Sequence, residues 1–125
     1  VTIGVDAEPH EPLPDGVLRM VAIDAERSQL GQLATDAPDV CWDRLLFCAK
    51  EAVYKAWFPL ARKWLDFSGA HITFASNSTL APDGTFEASL LVPGPVVAGR
   101  EITGFSGRWL VADGLLLTAI TVPTP

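Results

Sequence analysis

The sequence predicts an α+β domain in which helices pack on one face of a small antiparallel sheet, and three observations carry that prediction. Residues 41–58 repeat their apolar positions at helical spacing. Shorter β-rich runs, bounded by Gly, Pro and Asp, lie on either side of that stretch. Asp113-Gly114 separates two apolar runs near the C-terminal end, a dipeptide that tolerates the positive φ angles of a tight hairpin. The chain of 125 residues is 49% apolar, which suffices for one core without disulfide or metal staples.

In chain order, residues 2–6 read as a strand. The following stretch, residues 8–16, carries Pro9, Pro12 and Pro14 and is expected to be a stiff loop. Residues 24–35 have helix-forming composition in Ala25, Glu26, Gln29, Leu30 and Leu33, and should stop before Pro38. In residues 41–58, Leu45, Leu46, Ala49, Ala52, Val53, Ala56 and Trp57 collect on one broad face at about 100° per residue, so this helix faces the core. Pro59 is expected to kink or end it, with residues 60–65 able to add a further turn. Strands are expected at residues 70–75, at 85–92 with alternation broken only at Leu90-Leu91, and at 101–121 folded about Asp113-Gly114.

The net charge of −6, with no basic cluster beyond Arg62-Lys63, argues against nucleic acid as a partner. No run approaches the ~18 apolar residues of a membrane span, so a soluble, cytoplasmic protein is expected. Cys41 and Cys48 fall two turns apart on one predicted helix, with Cα atoms about 10 Å apart. A disulfide between them is excluded, and both read as buried reduced thiols. Residues 2–6 resemble a strand already under way, so an upstream segment is expected. His10 and His71 have no partner spacing that suggests a ligand pair and read as structural.

Side chains alternate along a strand, so Asp6 and Glu8 face one spot. On the long helix, Glu51 and Lys55 stand at i and i+4 opposite the apolar face, with Phe47 and Phe58 on the same stripe. Two phenylalanines on a polar face need a cover, since exposing each forfeits roughly 1.5 to 3 kcal/mol. That face is expected to meet another domain, a subunit or a ligand. Lys50 and Tyr54 border it and could reach a phosphate or a ribose. Three carboxylates, Asp6, Glu8 and Glu51, converging from strand and helix would form an all-oxygen site suited to Mg²⁺ or Mn²⁺ holding a diphosphate.

The run Ile3-Gly4-Val5-Asp6-Ala7-Glu8 and the helix Phe47-Cys48-Ala49-Lys50-Glu51-Ala52-Val53-Tyr54-Lys55 together resemble the two motifs of the 4'-phosphopantetheinyl transferases. The wider stretches 6–14 and 52–60, with Trp64-Leu65 after them, look like the branch containing actinobacterial enzymes and enterobactin-synthetase component D. The resemblance implies that Asp6, Glu8 and Glu51 bind metal, that Glu51 and Lys55 are catalytic, and that Lys50, Tyr54, Lys55 and Trp64 contact coenzyme A. It implies transfer of phosphopantetheine from coenzyme A to a serine of acyl or peptidyl carrier proteins in polyketide, peptide or fatty-acid synthesis. Members of this type have two pseudo-repeated halves, and the chain resembles the C-terminal, metal-binding half. Its partner would be the N-terminal half, or a second copy through self-association.

Two rival readings stand beside this one. The short, homotrimeric holo-acyl-carrier-protein synthases share the length and the Asp motif, whereas Glu8 and Trp57-Phe58-Pro59 depart from their pattern. A non-catalytic interaction domain, docking through the aromatic-lined acidic face without metal, is the reading from a different class.

Overall fold

The computed structural model describes residues 2–77 and 82–122. Strand β1 (Thr2–Pro9) leads to the helices α1 (Val17–Val21), α2 (Asp24–Asp36) and α3 (Trp42–Ala61), then to a 3-10 turn (Phe67–Gly69). Strands β2 (Ala70–Ser76), β3 (Asp83–Leu90), β4 (Val96–Val97), β5 (Arg100–Glu101), β6 (Gly104–Ala112) and β7 (Leu115–Val122) complete it. The main sheet is antiparallel throughout, in the order β1-β7-β6-β3-β2, and β4 and β5 form a separate small hairpin. The α+β prediction holds. No helix among the described residues is long and apolar enough to cross a membrane.

The long helix forms because its apolar stripe has a sheet to lie on. Leu45, Leu46, Ala49, Ala52, Val53, Ala56 and Trp57 are all buried, and they meet Ile72, Phe86, Leu116 and Ile120 from the inner face of the sheet. Trp42 fills the far end, edge-on to Trp109 at 5.2 Å and tilted against Phe74 at 5.7 Å. The alanines lie where β1 and β7 cross the helix, and small residues there permit a close approach. Gly4 completes it, since a Cβ at that position would stand 2.1 Å from the Ala52 carbonyl oxygen and 2.8 Å from the Ala56 nitrogen. The clearance between β1 and α3 is set by that glycine.

Several boundaries differ from expectation for local reasons. Strand β1 continues through Glu8 and Pro9, opposite Leu116 and Leu115, because an edge strand tolerates a proline whose missing N–H would face away from the ladder. Helix α3 passes Pro59 without stopping and ends at Arg62, whose φ of 57° is left-handed. Strand β3 lies two residues earlier than expected, with Gly84, Phe86 and Ala88 inward, so the Leu90-Leu91 break in alternation marks its end. The last hairpin begins at Gly104 rather than residue 101, and turns on Asp113 and Gly114 with φ values of 52° and 76°. Helix α1 and the β4–β5 hairpin were not expected, being too short to show a period.

Neither cysteine forms a disulfide, and only Cys48 is buried. Cys41 is half-buried, at the N-cap of α3 rather than inside the helix. His10 has a structural task, its Nε2 accepting the Cys41 N–H at 3.1 Å. Asp43 and Arg44 secure the same proline-rich loop. The Asp43 carboxylate accepts the Leu13 N–H at 3.0 Å, and Arg44 donates to the carbonyls of Glu11 and Pro12, each at 3.1 Å.

Candidate functional site

The pleat of β1 turns Gly4, Asp6 and Glu8 toward α3 and leaves Ile3, Val5 and Ala7 outside. Gly4 brings the helix close, and Asp6, two residues on, then lies within reach of Lys55. The Lys55 ammonium donates to Asp6 Oδ1 at 2.9 Å and to the Val5 carbonyl at 3.0 Å. Its pKa is raised, chiefly by the bond to Asp6, so it is held firmly cationic. The other Asp6 oxygen, Oδ2, is buried and has no hydrogen-bond partner. A buried carboxylate oxygen without a donor is costly, and it calls for a cation or for a proton shared with the neighbouring Glu8 carboxyl.

Glu8 sits beside Asp6. Burial raises its pKa, the neighbouring Asp6 carboxylate raises it further, and Arg44 works against both. Arg44 Nη1 lies 3.4 Å from Glu8 Oε1, an ion pair too long to count as a good hydrogen bond. Glu51 follows the same logic: burial raises its pKa first, Asp6 adds to the rise, and Lys55 lowers it in part. Asp6 therefore acts on both other carboxylates, with Arg44 as the counter-charge at Glu8 and Lys55 at Glu51. The three carboxylates do not converge as tightly as expected. Among the described residues no three His, Cys, Asp or Glu side chains stand close enough together to hold an ion as placed. The oxygen-only chemistry, the repulsion of Asp6 on each glutamate and the unpartnered Asp6 Oδ2 are nevertheless of the kind a hard divalent cation would relieve.

Below Asp6 the floor is sealed. Thr118, opposite Asp6 on β7, donates its hydroxyl to the Cys48 carbonyl at 3.1 Å, and its oxygen lies 3.2 Å from Cys48 Sγ. Burial is the main reason the Cys48 thiol is pushed up to about 12, which leaves it protonated and unreactive.

Beside Glu51 a cavity of about 130 Å³ is walled by Val53, Tyr54, Trp64, Leu65, Asp66, Phe67 and Ala70, with Lys50 at its base. Tyr54 packs against Trp64 at 5.1 Å within this wall, and against Phe58 at 5.9 Å outside it. Trp64 is largely exposed, its indole N–H tied to Asp66. A slender, partly apolar chain with a few polar groups suits these walls.

Two expectations about the helix face are corrected. Lys50 cannot present its charge to a phosphate, because its ammonium is buried in an ion pair with Glu26 at 2.8 Å and also donates to the carbonyls of Phe67 and Ala70. Burial lowers its pKa and Glu26 draws it back. What remains for the cavity is the alkyl stem. Phe47 does not await an outside cover either, since the chain's own Phe67 packs on it at 5.9 Å. Phe58 alone of that pair stays substantially exposed, at 42%.

Two residues that sequence reasoning passed over belong to the same setting. Arg44 lies seven residues before Glu51 on the same stripe of α3, a spacing visible in the sequence. Glu26 accepts from Lys50, from the Ile23 N–H at 2.9 Å and from the Ile72 N–H at 2.7 Å, and nothing in the sequence announces those meetings.

Fold and site together define an α+β domain whose acidic strand end faces a lysine-bearing helix, with Glu51 of that helix also lining a narrow cavity. Comparison with known proteins gives that arrangement a family. The family model of the 4'-phosphopantetheinyl transferase superfamily matches residues 2–92, and the chain belongs to that superfamily. It is 55% identical over 124 residues to the 4'-phosphopantetheinyl transferase Svp of Streptomyces mobaraensis, covering 99% of the chain and 48% of that protein. It is 48% identical over 121 residues to the transferase PptT of Mycobacterium tuberculosis, covering 97% of the chain and 52% of the relative. With the transferase Npt of Nocardia iowensis the identity is 52% over 122 residues, covering 95% of the chain and 54% of that protein. The chain thus spans about half the length of the curated relatives it matches.

Proposed function

We propose that this chain supplies the metal-binding half of an enzyme that moves 4'-phosphopantetheine from coenzyme A to a serine of acyl or peptidyl carrier proteins in the cytoplasm. The observation that carries the reading is the unpartnered Asp6 Oδ2, whose carboxylate repels Glu8 and Glu51 and is held by Lys55, with Glu51 also lining a cavity shared with Tyr54 and Trp64. Asp6, Glu8 and Glu51 would hold Mg²⁺ or Mn²⁺. Once bound, the ion neutralises and orients the diphosphate of coenzyme A. The aromatic cavity takes the pantetheine arm along Tyr54 and Trp64, over the stem of Lys50. Lys55 offers its ammonium to the phosphoryl group where charge accumulates.

The serine oxygen forms a bond to the β-phosphorus as the bond from that phosphorus to the bridging oxygen breaks, releasing 3',5'-adenosine bisphosphate. The serine proton passes to Glu51, directly or through one water. Its raised pKa brings Glu51 nearer the range in which a carboxylate is an effective base at neutral pH. Basic contacts to the nucleotide end of coenzyme A would come from a second half, or from another copy of this chain, consistent with the coverage of the relatives. An apo carrier protein incubated with coenzyme A and Mg²⁺ should gain the mass of one phosphopantetheine when this sequence is placed in a protein of the relatives' full length. Glu51→Gln should abolish that gain. A variant as fast as the parent rejects Glu51 as base, and full activity of the 125-residue chain alone rejects the half-enzyme reading.

A further inference from the structure

The charges around Asp6 do not balance without a cation, and the way they are compensated now bears on how one would enter. Asp6 has two oxygens with opposite situations: Oδ2 is buried and unpartnered, while Oδ1 is held by the Lys55 ammonium at 2.9 Å. The ammonium also reaches the Val5 carbonyl at 3.0 Å, so it is anchored to the strand as well as to the carboxylate. Yet the Lys55 side chain is half exposed, with room to leave. On the far side of the cluster, Arg44 is bound to two loop carbonyls and Glu8, and has no such freedom.

Charge counting makes the two cations unequal. Arg44 and one divalent ion suffice to balance Asp6, Glu8 and Glu51, which leaves the charge of Lys55 uncommitted. We propose that Lys55 is the resident stand-in for the divalent ion: its ammonium holds Asp6 until the ion binds, is displaced from Oδ1 on binding, and is thereby freed to meet the substrate phosphate. The inference rests on the metal-site reading above. It makes Lys55 a competitor of the metal before it is an aid to transfer, so a charged lysine and a bound phosphate become linked through the ion.

Binding of Mn²⁺ to the substrate-free chain, followed by loss of the free-ion paramagnetic signal, tests this with no turnover involved. Lys55→Met should bind Mn²⁺ about fivefold tighter than the parent, the upper end of what an exposed ion pair contributes. Lys55→Arg, which keeps a cation at the position, should show no such gain, and Asp6→Asn should bind far more weakly. If Asp6→Asn loses binding while Lys55→Met binds no tighter than the parent, the displacement is overturned and the metal site stands. If no form binds, or Asp6→Asn binds as well as the parent, the metal site falls and the displacement with it. Circular dichroism of each variant separates a lost site from a lost fold.

Discussion

Two lysine–carboxylate pairs extend from α3, about 140° apart around its axis at 100° per residue. Glu26–Lys50 is 2.8 Å long and Asp6–Lys55 is 2.9 Å, so contact distance hardly distinguishes them. Their surroundings do. The side chains of the first pair are 2% and 0% exposed, and those of the second are 50% for Lys55 and 11% for Asp6. Burial makes the first pair a structural knot: Glu26 also ends two backbone N–H groups, and Lys50 ends two carbonyls, joining α2, α3, the 3-10 turn and β2. The second pair can open. The same chemistry is fixed where water is excluded and exchangeable where water can replace a partner.

The sharpest way to break the comparison is to remove one member of the buried pair. Lys50→Ala should cost about 3 to 5 kcal/mol, because Glu26 would be left ionised and unpaired in the interior. Urea denaturation measures it, and a loss below 1 kcal/mol would mean that water reaches the pair. Gly4→Ala comes next, at about 1 to 3 kcal/mol for overpacking, since its Cβ must push β1 away from the Ala52 carbonyl. It should separate Asp6 from Lys55 while leaving Lys50 and Glu26 in place, so Mn²⁺ binding should fall more than the fold suffers. Lys55→Ala, at the exposed pair, should change stability by less than about 1 kcal/mol yet slow carrier-protein labelling severely. Comparable losses of stability at Lys50 and Lys55 would erase the distinction.

The smallest effect is electrostatic. The folded pKa of Glu51 lies above 4.5, so the protonated carboxyl stabilises the fold below that value, and the contribution is lost as pH rises through the folded pKa. Glu51→Gln should therefore match the parent in acid and melt slightly higher at neutral pH, by less than about 0.5 kcal/mol after solvent screening. Saturating Mg²⁺ should remove that advantage. Melting curves at a series of pH values, with and without Mg²⁺, would show it.

The two pairs were not equally legible in the sequence. Asp6 and Glu8 declare a shared face by alternation within one strand, and Glu51 and Lys55 do so by i, i+4 spacing within one helix, so local periodicity finds the exposed set. It is silent about Glu26, because its meeting with Lys50 depends on where α2 docks, a long-range fact that no period encodes. For the same reason Lys50 reads as a surface cation when only its own helix is considered. Phe47 reads as uncovered for the same reason, its cover being Phe67 from a three-residue turn. The fold class was legible because α3 and the Asp113-Gly114 hairpin carry strong local signals, whereas α1 and the β4–β5 hairpin carry none. Arg44 could have been found, since it continues the Glu51 stripe toward the N-terminal end of the helix.

The position of β1 in the sheet has a consequence for the order of assembly. Among the described residues its one strand neighbour is β7, and Asp6 lies opposite Thr118, more than a hundred residues further along the chain. Closing so long a loop is entropically slow compared with forming α3 or the β6–β7 hairpin. The acidic strand is thus expected to pair late in folding, after β7 has formed its hairpin with β6, although it also packs on α3. Cation binding at Asp6, as proposed above, would then serve as a gauge of completed folding: a refolding experiment should show Mn²⁺ uptake as a late event rather than an early one.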